Sequence, residues 1–209
     1  MLTAMKATRK SRAPRAPGQR FLKGQLLLAM PAMADRRFAR SVIYMCAHSS
    51  SGAMGLIINQ RARNVSFPDL IEQFEIRGIR RRLDASTLAR RQVHIGGPVE
   101  TARGFVLHSS DYSGDSSTMR IGGGVSLTVT VDILRAIVNG DGPDRSILAL
   151  GYANWGPGQL EREIRSNGWL HCPADVDLVF DPALEGKYER AMSRIGIDTG
   201  FLVNDYGHA

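Results

Sequence analysis

The residues with most chemical promise lie in the run Gly151-Tyr152-Ala153-Asn154-Trp155-Gly156-Pro157-Gly158-Gln159-Leu160. A strand-like apolar segment precedes it and a helix-like segment follows, and free backbone N–H groups at a helix start attract anions. The chemistry this pattern suggests is capture of a small anionic ligand. The amides of Asn154 and Gln159 and the indole of Trp155 would frame it, with Gly156 and Gly158 shaping the turn. The spacing is not a dinucleotide fingerprint: counting from Gly156 the sixth place is Glu161, Pro157 removes a donor, and no P-loop lysine follows. The bland alternative is a tight strand-to-helix turn whose glycines are steric. A second turn, Gly96-Gly97-Pro98, is a candidate for the other wall of the same cleft.

Metal and nucleophile chemistry is less well served. Cys46 and His48 are two apart on a strand-like segment and share a face, whereas His171 and Cys172 are adjacent and point to opposite faces. At most three of the four can converge, and a structural zinc site wants four ligands, so the expectation is buried thiols, a hydrogen-bonded histidine, no metal and no cofactor. No G-x-S-x-G elbow occurs: serines precede Ser51-Gly52, and Ser113-Gly114 sits in a polar stretch. His48, His94 and His108 could each act as a base, and Asp35 or Asp111 could orient one, but no spacing fixes a triad. No catalytic residue is assigned.

Positioning these groups takes a scaffold, and its elements are visible as patterns. Residues 21–30 and 40–47 read as strands, the second apolar on both faces, and 54–59 reads as the hairpin partner of the second. Ser66-Phe67-Pro68-Asp69 is a capping-box-like start for a helix whose Phe67, Leu70, Ile71 and Phe74 share one face. Val93–Ile95 and Gly104–Ser109 read as short strands, and Gly122-Gly123-Gly124 as a hairpin turn rather than a phosphate cradle. Thr130 is placed to cap a helix carrying the stripe Ile133, Leu134, Ile137, Val138 and ending at Gly140. Residues 147–152, 169–172 and 178–180 are strand candidates. Gly156-Pro157 opens a short helix that Asn167-Gly168 closes, and Tyr188, Met192 and Ile195 lie on one face of a last helix. Strands then outnumber helices about two to one and several neighbours lack a crossover helix, the signature of an α+β rather than a doubly wound fold.

The chain has 209 residues and a formal net charge of +7. Lys6, Arg9, Lys10, Arg12, Arg15 and Arg20, with no acid among residues 1–20, carry nearly all of that excess, so 1–20 reads as a disordered basic tail and 21–209 as a single, almost neutral domain. Direct nucleic-acid contact is expected only weakly, through that tail. A second basic run, Arg77, Arg80, Arg81, Arg82, Arg90 and Arg91, has no interleaved aromatic and reads as a solvated face. The apolar stretch Leu26–Ala34 contains Pro31 and is far below the roughly 20 residues a membrane span needs. With two cysteines and no signal-like apolar segment, the expected compartment is the cytoplasm.

The residues Gly24-Gln25-Leu26-Leu27-Leu28-Ala29-Met30-Pro31-Ala32-Met33, Gly52-Ala53-Met54-Gly55-Leu56-Ile57-Ile58-Asn59, Gly96-Gly97-Pro98-Val99 and Arg103-Gly104-Phe105-Val106-Leu107-His108 resemble the bacterial YqgE/AlgH family. So do Gly151-Tyr152-Ala153-Asn154-Trp155, Gly158-Gln159-Leu160-Glu161, Asn167-Gly168-Trp169-Leu170 and Gly207-His208-Ala209, so the likeness runs in order over essentially 21–209. The resemblance implies an α+β domain: a mixed, largely antiparallel, bifurcated sheet curled into a pseudo-barrel with flanking helices. It brings no accepted reaction; members are described as uncharacterised or as candidate transcriptional regulators, a label linked to alginate control. The leading expectation is a non-enzymatic binding or regulatory module taking a small anionic ligand or a protein partner. Its site would comprise Gly96, Gly97, Asn154, Trp155, Gly156, Gly158 and Gln159, and any regulation would be indirect. The alternative is an enzyme acting on a small anionic substrate, with His108 or His48 as acid/base.

Overall fold

The computed structural model describes residues 21–76, 84–114 and 117–198. The tail 1–20, the arginines Arg77, Arg80, Arg81 and Arg82, and the terminal Gly207-His208-Ala209 lie outside the described residues. Apolar runs without alternation become strands covered on both faces. In β1 (Gln25–Ala29), Leu26 and Leu28 join Val42, Tyr44 and Cys46 in one core, while Leu27 joins Ile43, Met45 and Trp169 in another. β1 lies between β2 (Val42–Ser49) and β9 (Trp169–Pro173), antiparallel to both. β2 turns through Ser50-Ser51 into β3 (Gly52–Ile57), the expected hairpin.

The sheet forks at β8 (Ser146–Trp155). Leu150 pairs in parallel with Ile95 of β4 (Val93–Ile95) and antiparallel with Gly104 of β5 (Val99–Ser109), so these two strands occupy opposite edges of β8. The end of β8 pairs instead with β3. The link Gly96-Gly97-Pro98 must therefore cross the face of β8, and only bare backbone fits. A Cβ on Gly97 would lie 2.1 Å from the Tyr152 carbonyl carbon, and one on Gly151 2.5 Å from the Gly97 oxygen. Beyond β5 come β7 (Val125–Thr128) and β6 (Thr118–Gly122), joined by the triple-glycine turn. The order is β6-β7-β5-β8-β3-β2-β1-β9 with β4 added on β8; β4–β8 is the parallel pair in this otherwise antiparallel sheet, which curls into a half-barrel.

Among the described residues nine strands accompany six α-helices. α1 (Phe67–Gln73) begins with the capping box: Ser66 Oγ accepts from the Asp69 N–H and Asp69 Oδ2 from the Ser66 N–H. α2 (Ala85–Ala89), capped by Asp84, was not expected. α3 (Val131–Asn139) buries its four-residue stripe and ends on Gly140 at φ 82°, but the Thr130 hydroxyl meets Ser117 Oγ rather than the helix. α4 (Gln159–Arg165) ends as expected at Asn167 and Gly168. Residues 178–180 are not a strand: they lie in α5 (Val176–Phe180), where Asp175 Oδ1 accepts from the Asp177 and Leu178 N–H groups. A buried apolar triplet fits either element, and the N-cap decides. Two short helices unread in the sequence thus account for the lower strand-to-helix ratio. α6 (Lys187–Arg194) packs Tyr188 and Met192 inward.

Candidate functional site

A groove of about 760 Å³ opens where the fork of the sheet meets the start of α3. Its rim exists because the β5–β8 register slips between Val99 and Gly104, freeing residues 100–103 from the ladder. At the bulge Glu100 takes the left-handed region, φ 47°, and accepts from Arg103 Nη1 at 3.0 Å and Tyr152 Oη at 3.2 Å. The Arg103 guanidinium holds the Glu100 carboxyl below the usual carboxylate range. Phe74, Val106, Val131, Leu134 and Leu148 supply apolar wall. The volume falls within the range of roughly 300–1,000 Å³ common for small-molecule sites.

Thr128 in the groove lining belongs to a buried chain of polar groups. His108 Nδ1 lies 2.8 Å from the Ser109 carbonyl oxygen, which can only accept, so Nδ1 carries the proton. Nε2 therefore accepts from the Thr128 hydroxyl at 2.9 Å, and Thr128 accepts from the Thr118 hydroxyl at 2.8 Å. His108 and Thr128 are 0% and 1% exposed. Burial pushes the His108 pKa down against the opposing pull of the Ser109 carbonyl and Asp111, so the ring is neutral at pH 7. A hydroxyl on an oriented, neutral imidazole is the start of a base-activated nucleophile.

The expected ligand residues are gathered differently. Trp155 Nε1 and Trp169 Nε1 donate to the same oxygen, Glu163 Oε2, at 2.9 and 2.8 Å, and Gln159 Nε2 donates to Glu163 Oε1 at 2.8 Å. The Gly156 N–H meets Gln159 Oε1 at 3.0 Å, and Gly158 enters α4 at φ 67°. The donors nominated for an external anion thus surround a carboxylate of the chain itself. Asn154 is exposed opposite Met54 on β3, and Gly96 and Gly97 form the strand crossing. Pro98 borders the groove, while none of residues 154–159 does.

The histidines separate likewise. His48 accepts from the Leu22 N–H at Nδ1, 2.9 Å, and donates from Nε2 to Glu161 at 3.2 Å, which places it beside α4 and the Asn154–Gln159 turn. His171 Nδ1 meets Gln25 Oε1 at 3.0 Å. Burial pushes the Cys46 thiol up to about 12 and raises Cys172 as well, so neither is a thiolate at neutral pH. Among the described residues no three His, Cys, Asp or Glu side chains gather to hold a metal. Arg91, read as part of a solvated face, instead reaches inward to Ser146 Oγ at 3.1 Å, because β4 draws its neighbours against β8. Thr128, Glu100, Arg103 and Glu163 are the residues the sequence did not single out. Only the β5–β7 register brings Thr128 to a histidine twenty positions away; for Glu163, its place one turn beyond Gln159 was the available signal.

A family pattern described as AlgH-like matches residues 26–200. A UPF0301 protein of Beijerinckia indica is 60% identical over 193 residues, covering 90% of this chain and 93% of the relative. One of Methylocella silvestris is 58% identical, covering 95% and 99%. The solution structure of the AlgH protein from Pseudomonas aeruginosa superposes with a TM-score of 0.73 at 38% identity, over 94% of this chain and 100% of that one. A crystal structure of a Corynebacterium diphtheriae protein, 23% identical with a TM-score of 0.65 and 90% of each chain covered, shares the fold. No described helix is long and apolar enough to cross a membrane. With the forked half-barrel, the strand-crossing glycines and this agreement along nearly the whole length, the chain belongs to the AlgH-like (UPF0301) family of bacterial proteins.

Proposed function

We propose that this protein is a non-enzymatic binding module of the cytoplasm whose groove takes an amphipathic small molecule, an apolar body with one carboxylate-like group. The observation that carries this reading is the composition of the groove: about 760 Å³, mostly apolar walls, and the Arg103 cation at the rim. The apolar body would lie against Val106, Leu134 and Leu148, and its anionic group would compete with Glu100 for Arg103. Regulation by such a module is indirect, through the ligand or a protein partner, because residues 21–209 carry little net charge with which to hold nucleic acid. Native mass spectrometry of the full chain incubated with dodecanoate tests it. A bound adduct should form and be lost in Ala102→Trp, which drives an indole into the groove from an exposed position. An adduct equally strong in both proteins, or in neither, overturns the reading.

The Thr128–His108 contact favours a second reading, an acyl-transfer or ester-hydrolysing enzyme using the same groove. Thr128 Oγ1 would attack and its proton would pass to His108 Nε2. An alkyl fluorophosphonate reports this directly: the Thr128 oxygen bonds to phosphorus, fluoride leaves, and the protein gains the phosphonyl mass. Labelling of Thr128 that disappears in His108→Gln establishes the enzyme; an unlabelled protein returns the groove to binding alone.

A further inference from the structure

A separate cavity of about 160 Å³ lies below the C-terminal half of α3, between residues 90–94 and 180–182. Leu148 and α3 border both it and the groove. Its polar lining is incompletely satisfied: Arg91 Nε and Gln92 Oε1 are buried without a hydrogen-bond partner, and so is His94 Nδ1, although the His94 ring lies against the backbone of Leu148 and Gln92, which acts on it as an acceptor. His94 is only 5% exposed. Arg91 donates to Ser146 Oγ and lies over the Phe67 ring, 5.9 Å from its centroid, with no described carboxylate in ion-pair range. Lys187 lies close enough to depress His94. It is itself 0% exposed, and its ammonium donates to two backbone carbonyls, Val179 O at 3.1 Å and Ile58 O at 3.4 Å. Asp181, the acid in the lining, is engaged by Arg190 Nη2 at 2.9 Å.

Buried cations are normally matched by a counter-charge, and buried polar atoms by a partner. Here Arg91 has no described carboxylate in ion-pair range, polar atoms of the lining stand without partners, and the one acid acting on nearby Lys187, Asp181, is shared with Arg190. Burial lowers Arg91 with no anion to offset it and brings Lys187 down to about 8 against the opposing pull of Asp181.

We propose that this cavity binds a small oxyanion of the phosphate class. Arg91 Nε–H and the His94 ring would donate to its oxygens, and Gln92 Oε1 would accept from a protonated ligand oxygen. Lys187 and Arg90 would supply the surrounding positive field. The pairing of donors with one acceptor selects a hydrogen phosphate or phosphomonoester over a fully deprotonated, acceptor-only anion. The volume, below that of drug-sized sites, selects a small one. This inference stands apart from the groove and does not need it to be occupied.

Thermal unfolding of the full chain at pH 7, with inorganic phosphate titrated against sodium chloride at matched ionic strength, tests it. The expected result is a saturable rise in Tm with phosphate that chloride does not reproduce, weakened at least tenfold in Arg91→Met and unchanged in Arg162→Met on α4. Methyl phosphate in a parallel titration separates the sources: weaker binding than phosphate assigns a free ion, equal or tighter binding an ester. Should Arg91→Met fail to fold, ³¹P line broadening of inorganic phosphate by the wild-type protein, competed by arsenate but not by chloride, tests the same binding, and no broadening or equal competition by chloride overturns it. Equal shifts with phosphate and chloride, or a full phosphate response in Arg91→Met, overturn the proposal.

Discussion

Two corners of this protein hold buried hydrogen-bond donors and differ in what faces them. Around Glu163 the chain supplies its own anion: two indoles at 3% exposure and the Gln159 amide converge on one carboxylate. Around His94 and Lys187 the one acid, Asp181, is shared with Arg190, leaving a ring nitrogen and a guanidinium nitrogen without partners beside an ammonium held by carbonyls. The first corner matches its donors with a carboxylate of the chain itself, whereas the second leaves donors and an acceptor of its lining without partners. Glycine turns and amides, conspicuous in the sequence, went to the first corner; the second takes Arg91 from a run that reads as a solvated face and His94 from a strand where it reads as one of three candidate bases.

Removing Glu163 is the strongest way to break the contrast. Glu163→Ala leaves both indole N–H groups and the Gln159 amide unsatisfied, a loss of about 2–4 kcal/mol. For a protein of this size that lowers Tm by roughly 5–15 °C, with a shift in tryptophan emission; a fall of only a degree or two would mean that the node contributes little. Next comes Lys187, faced by Asp181 and Arg190. Its folded pKa of about 8 lies below the ordinary value near 10.5, so between those limits the unfolded chain holds a proton that the folded chain has released. Stability should climb as pH rises across that window, and Lys187→Met should flatten the rise, as urea melts at pH 7.5 and 10 would show. His94, lowered to about 4 by burial and by nearby Lys187 and Arg61, acts in the same sense in acid. Stability should fall as pH drops from about 6.5 towards 4, and denaturation profiles of His94→Gln should lose that component. Asn154→Ala should be the smallest effect, within about 0.5 kcal/mol, because the side chain is exposed on β8. A larger loss would draw the Asn154 turn back into consideration as a site.

Much of the scaffold was legible. The unbroken apolar runs of β1 and β2, the Ser66–Asp69 capping box, the α3 stripe closing on Gly140 and the glycine hairpin at 122–124 are local patterns with local causes. The misread segment, 178–180, is three apolar residues long, too short for period to separate strand from helix when Asp175 supplies the cap. The site was less legible. Asn154, Trp155 and Gln159 do cluster at a strand-to-helix turn, but the turn cannot reveal that Glu163 satisfies its donors. Arg91 carries a charge that composition assigns to solvent, and only the β4–β8 pairing carries it inward.

Local chemistry thus determined where strands begin, which helix carries a capping box, and that Gly96-Gly97-Pro98 is a turn. The tertiary structure decided what that turn crosses and that no Cβ fits there, which histidine meets a hydroxyl, and which guanidinium goes inward without a carboxylate. The reason is physical: capping and periodicity act over one turn of chain, whereas charge pairing and hydrogen-bond satisfaction depend on distances that strand register sets between residues far apart in sequence.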